Sequence, residues 1–179
     1  MFYKVLPKDI KDVVISRGQC RKLKQLYNGK ISVQSPTGQQ IKIVKIQMRH
    51  ILGPDLKTYC NKDKYEGSGF HHDHVVRAMN SDKFKFEITK VGDHGVYEAW
   101  WSYGNAKPKP STFFPKEWTT CKVIEKIRES LNNGESIAQG PDRFAVSGVT
   151  NEGIAIKTIV EMITTGRGKI ISSYSVMER

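Results

Sequence analysis

The sequence predicts an α+β fold, with N-terminal and central helices packed on antiparallel β-sheet and a β-rich C-terminal third. Three observations lead there. A capped amphipathic stretch follows Thr119, segments of alternating apolar residues fill 83–103 and 144–176, and glycine- or asparagine-bearing turns separate those segments. With 38% hydrophobic and 26% charged residues in 179, the chain is long enough to bury about 70% of its unfolded surface in one core. Disorder throughout is excluded, and one domain over 1–179 is expected, made of a basic segment at 1–45 and a motif-bearing region at 48–176.

Taken in order, residues 8–26 carry Ile10, Val13, Val14, Leu23 and Leu26 among charges, a helical spacing that Gly18 is expected to interrupt. Residues 30–34 and 40–47 alternate around Pro36-Thr37-Gly38 as a hairpin, with Ile46 out of phase. Residues 48–74, bearing Gly53-Pro54 and Gly67-Ser68-Gly69, read as loop. Phe84, Phe86 and Ile88 alternate, Val96–Tyr103 carries Tyr97, Trp100 and Trp101, and Gly92-Asp93-His94-Gly95 turns between them. Thr119 or Thr120 caps a helix with Val123, Ile124, Ile127 and Leu131 on one face, ended by Asn132-Asn133-Gly134. Residues 144–149, 154–163 and 169–176 then read as an antiparallel meander.

The formal charge of +11 is uneven, because residues 1–50 hold eleven basic and two acidic side chains. Such an excess points to a polyanionic partner, RNA, DNA or an acidic protein. No apolar run approaches the roughly 20 residues of a membrane helix, and Met1–Pro7 lacks the apolar stretch of a secretory signal. Neither a membrane span nor export by that route is expected. Cys20, Cys60 and Cys121 fit neither a disulfide framework nor a Cys-x-x-Cys metal site, and read as buried or inert thiols.

His50, His71, His72, His74 and His94 are the groups that titrate near neutrality. Two imidazoles on opposite sides of a substrate serve as base and acid. His94, in a turn, reads as a surface residue. The His71-His72-Asp73-His74 run also suits a metal reading, since alternating ligands can converge on Zn²⁺ or Mn²⁺. Gly166-Arg167-Gly168-Lys169 leads into a strand and lacks the strand-loop-helix context of a phosphate loop. Lys107-Pro108-Lys109-Pro110 holds two cations on a stiffened backbone, followed by Phe113, Phe114 and Trp118 as anchors.

Four blocks together resemble the bacterial EndoU ribonuclease family: Arg49-His50-Ile51-Leu52-Gly53, Gly67-Ser68-Gly69-Phe70-His71-His72, the stretch from Lys109 to Trp118, and the stretch from Gly168 to Tyr174. The resemblance implies an EndoU-like fold. It also implies a metal-independent RNA endonuclease that cuts on the 3′ side of uridines and leaves a 2′,3′-cyclic phosphate. On that resemblance His50, His71 and Lys109 are catalytic, with His71 as base, His50 as acid and Lys109 as the phosphate-stabilising cation. Ser172 and Tyr174 contact and stack on the uracil, and His72, Lys107 and Thr112 are alternates. Ser172 stands where threonine is commoner, Ser175 replaces the usual proline, and residues 84–103 form an insertion between His71 and Lys109. The resemblance further implies a toxin module acting on RNA, transfer RNA among the candidates, in the cytoplasm of a target cell and neutralised by a cognate immunity protein. Two other readings stand beside it: a non-catalytic module binding RNA or an acidic partner, and a metal-dependent nuclease centred on residues 71–74.

Overall fold

A computed structural model describes residues 2–4, 17–27, 29–59, 65–72 and 82–177. Its largest sheet has six strands in the order β2-β3-β12-β11-β10-β9, formed by Ser32–Gln34, Gln40–Ile46, Arg167–Ser175, Ala155–Thr164, Arg143–Val149 and Glu135–Ala138. Two three-stranded sheets accompany it. One joins β1 (Phe2–Lys4), β4 (Pro54–Tyr59) and β5 (Tyr65–Gly69), and the other joins β6 (Phe84–Val91), β7 (Tyr97–Tyr103) and β8 (Lys109–Phe113). The helices among the described residues are α1 (Arg17–Tyr27), α2 (Met48–Leu52) and α3 (Thr120–Asn132). The architecture is α+β, as the patterning predicts.

Helix α3 forms where the sequence places it. The Thr119 hydroxyl accepts from the Lys122 amide at 3.1 Å, which satisfies one of the amides left over at a helix start. Val123, Ile124, Ile127 and Leu131 are buried against the large sheet, each such side chain contributing about 1.5–3 kcal/mol. The helix lies close to β10. A Cβ on Gly148 would overlap the Ser130 carbonyl, so that position admits only glycine at this helix–sheet spacing.

The hairpin of β2 and β3 is also as expected, and its irregularity has a cause. In the parallel pairing of β3 with β12, Ile43 lies opposite Gly168 and Lys45 opposite Lys169, which leaves Val44 as an extra residue. That bulge returns Ile46 to the inner face with Ile41 and Ile43, all three buried. The parallel pair itself departs from the all-antiparallel expectation. The two ends of the sheet meet where the Ser136 hydroxyl donates to the Gln34 carbonyl at 2.5 Å, so the sheet curls around its helical side.

Other expectations are corrected. Gly18 lies inside the first turn of α1 and does not interrupt it, whereas residues 8–16 lie outside the described set. The described residues between 48 and 72 form helix α2 and the antiparallel pair β4–β5 where loop is expected; the strands lack apolar alternation because Lys57, Thr58 and Glu66 occupy pleat positions. Strand β9 is a four-residue edge that the sequence patterning does not predict. Cys20 is buried but Cys121 is exposed on α3, both as free thiols. No helix among the described residues is long and apolar enough to cross a membrane.

Candidate active site

The polypeptide brings residues 50, 71 and 174 together through backbone bonds made by their neighbours. Helix α2 follows β3 directly, closed by the Gly53 amide on the Arg49 carbonyl at 3.1 Å. The chain leaving β5 then binds the end of α2: the Phe70 amide donates to the His50 carbonyl and the His71 amide to the Ile51 carbonyl, both at 2.8 Å. Such closeness requires Gly69. Its φ is 69°, and a Cβ there would strike the His50 carbonyl and come within 3.0 Å of the His50 ring. Phe70 takes a left-handed φ of 75°, unusual for an aromatic residue, and is fully buried. Its ring is held edge-on by Trp101 at 5.3 Å and Phe113 at 5.0 Å, with Phe84 at 5.9 Å, so the β6–β8 sheet clamps the turn that aims His71.

The rings of His50 and His71 have centroids 6.4 Å apart, and the Tyr174 ring lies 5.3 Å from that of His71. His71 Nδ1 is 2.9 Å from the Thr112 carbonyl, which can only accept, so Nδ1 carries the proton and donates. The neutral ring therefore has its lone pair on Nε2. Burial drives the His71 pKa down to about 4; the Thr112 hydrogen bond opposes this and the charge of His50 adds to it. Burial raises the Tyr174 phenol, keeping it uncharged at neutrality.

Tyr174 and Ser172 owe their orientation to a second bulge. Opposite β11, Ser172 pairs with Ile159 but Ile170 pairs with Val160, leaving Ile171 extra. Ile170, Ser173 and Ser175 face the core, and Ser172 and Tyr174 face away from it, half-buried. Ser175 is buried and donates to the Phe113 carbonyl at 3.1 Å.

Lys109 is half-buried at the start of β8, opposite Trp101. Strand alternation sets it on the same face as Ser111, whose hydroxyl donates to the Gly69 carbonyl at 3.2 Å and accepts from Trp101 Nε1 at 3.1 Å. Lys107 is exposed in the loop before β8, and the Thr112 side chain is on the opposite face from Ser111. His72 is 2% exposed and donates from Nε2 to the Trp118 carbonyl at 2.7 Å. Asp73 and His74 lie outside the described residues. Among the described residues no three His, Cys, Asp or Glu side chains gather as metal ligands. His94 is exposed in a 3₁₀ turn.

Ser111 and the Thr112 carbonyl have no expected role from residue type alone. A strand reading of Lys-Pro-Ser-Thr-Phe, with every second side chain inward, is the signal that would have found Ser111.

The family model for bacterial EndoU nuclease matches residues 49–176. A protein named Toxin from Bacillus cereus is 36% identical over 89 residues, covering 47% of this chain and 15% of that protein. The chain thus spans about 15% of the length of that relative. No solved structure matches. The family match takes in more than half of the chain, including His50, His71, Lys109, Ser172 and Tyr174, and the chain belongs to the bacterial EndoU nuclease family.

Proposed function

We propose that this chain is a metal-independent endoribonuclease, the toxin module of a longer protein, that cleaves RNA at uridines by transesterification. The observation that carries the reading is the His50–His71 pair, 6.4 Å between ring centres, with the Tyr174 ring beside it and the His71 tautomer set by Thr112. His71 Nε2 takes the proton of the ribose 2′-OH as that oxygen attacks phosphorus. The bond to the 5′-oxygen breaks, and His50 delivers a proton to it, leaving a 2′,3′-cyclic phosphate. Each transfer contributes about 10²- to 10⁴-fold. A bound phosphodiester places negative charge beside the buried His71 ring and draws its pKa back up from about 4, toward the range where a base works at neutrality.

Lys109 meets the charge that grows on the phosphoryl oxygens. The uncharged Tyr174 ring offers a face for uracil, a stacking contact worth about 1–3 kcal/mol, and the Ser172 hydroxyl contacts the base edge. An acidic immunity protein that covers this site would protect the producing cell, and the cytoplasm of a target cell is where RNA would be met.

Incubation of a uridine-containing oligonucleotide in excess EDTA, with identification of product ends, tests the reading. Cleavage with cyclic phosphate ends is expected, and His50→Ala and His71→Ala are each expected to lower the rate by about two to four orders of magnitude. Near-wild-type turnover in both variants would sink the two-histidine mechanism. Binding without cleavage would make the chain a non-catalytic module, and rescue only by a divalent metal would make it a metal-dependent nuclease.

A further inference from the structure

The large sheet turns one face to α1 and α3, and its other face carries an arrangement that stability does not explain. On that face Lys45 of β3 lies opposite Lys169 of β12, and one step along, Lys42 lies opposite Arg167. Like charges set directly across a strand pair repel. Glu161 of β11 reaches Lys169 at 3.2 Å and Arg143 at 2.7 Å, so its single carboxylate is already shared. Lys42, Lys45 and Arg167 are exposed and take part in no ion pair among the described residues. Two adjacent like-charged pairs are thus kept at a cost to the fold, a pattern expected where a surface serves a ligand.

The same face leads to the site. Along β12 it carries Arg167, Lys169, Ser172 and Tyr174 in turn, because the Ile171 bulge keeps Ser172 and Tyr174 outward. Across from Tyr174 the direct partner on β11 is Lys157, half-buried and likewise without an ion-pair partner among the described residues. Partners in such register have Cβ atoms about 4.5–5.5 Å apart, so the Lys157 side chain leaves the sheet next to that of Tyr174, whose ring flanks His71. From Tyr174 to Arg167 the strand runs about 20 Å at the usual rise per residue, with a cation at its Tyr174 end and a cluster of them at the other.

We propose that this face is the track on which single-stranded RNA lies as it leaves the cleavage site, its phosphates held by Lys157 at the near end and by Lys169, Lys45, Arg167 and Lys42 beyond. The proposal rests on the nuclease reading above and extends it to the rest of the substrate. A polyanion is the occupant that relieves the two like-charged pairs, and continuity with Tyr174 makes that polyanion the substrate strand. A base on Tyr174 and phosphates on the lysines are the two elements by which proteins hold single strands without reading sequence.

The double variant Lys45→Ala/Arg167→Ala tests it. Both side chains are exposed, so the fold is retained, as the wild-type thermal unfolding midpoint would verify. Binding is measured by fluorescence anisotropy on an oligonucleotide long enough to cross the sheet, with a 2′-deoxyuridine at the cleavage position to prevent turnover, over a range of salt. Cleavage of a uridine dinucleotide is measured in parallel. The slope of log affinity against log salt should fall by about 1.4, two contacts at about 0.7 each, and affinity at about 0.1 M salt should drop about 20-fold. Dinucleotide cleavage should not change.

An unchanged salt slope, or equal losses on the long strand and the dinucleotide, would overturn the track. A loss confined to an acidic inhibitor, with RNA binding intact, would make this face a protein-docking surface and also overturn it. If the wild-type protein fails to cut the dinucleotide, the catalytic reading falls, and the anisotropy still decides the track by itself.

Discussion

His71 is held by its amide on Ile51, its carbonyl on the Phe114 amide and its Nδ1 on the Thr112 carbonyl, which leaves the ring little freedom beside Tyr174. Taking the ring out of water lowers its pKa from 6.5 to about 4. Between these values the unfolded chain binds the proton and the folded one does not, so stability rises with pH across that window. The contribution is present above pH 6.5 and is lost as pH falls toward 4, on the order of 3 kcal/mol in all. Urea unfolding of the wild type over this window should show that loss, and His71→Asn, which keeps a donor for the Thr112 carbonyl, should flatten it. Equal pH dependence in the two proteins would show that His71 is not the titrating group. Histidine at 50 and 71 is legible as chemistry from residue type alone. The carbonyl that sets the tautomer is not, since every residue has one, and only its position matters.

At the level of elements, α3 was readable because its information is local: a capping hydroxyl and apolar side chains at helical spacing lie within fifteen residues of one another. Its distance from the sheet was not readable. That distance is set at Gly148, where a methyl group would overlap the Ser130 carbonyl. Gly148→Ala should therefore lift α3 from β10 and destabilise by about 2 kcal/mol or more in chemical denaturation, since neither backbone can move alone. A variant as stable as wild type would mean that the helix shifts freely over β10. The bulges at Val44 and Ile171 sit on neighbouring strands. Ile46 out of phase was the trace of the first, and the second had no trace, because Ile171-Ser172-Ser173 has no clear alternation to break. Strands β4 and β5 look like loop in the sequence for a similar reason: their pairing is supplied by backbone, with polar side chains at many positions.

In the whole molecule two cores meet at the site. One lies between the large sheet and its helices, and the other gathers Phe70, Tyr97, Trp101, Tyr103 and Phe113 around the β6–β8 insertion. Ser175 joins them by its bond to the Phe113 carbonyl, and Ser111 ties the insertion to Gly69. Ser175→Ala removes that buried bond at the joint and should cost about 1 kcal/mol, measured from the urea midpoint at constant slope. Stability unchanged by that substitution would show that the joint is held elsewhere. From the sequence alone came the α+β class, the hairpins whose turns are local, the capped helix, the uneven charge and the residue types able to move protons. Tertiary structure alone decided the parallel pairing of β3 with β12, the left-handed turn at Gly69 and Phe70, the meeting of residues 50, 71 and 174, and the gathering of cations on one sheet face. The reason is range. Periodicity and turn chemistry report on neighbours a few residues apart, whereas the site and the charged face join residues from distant strands, whose meeting depends on how the sheets curl and pack.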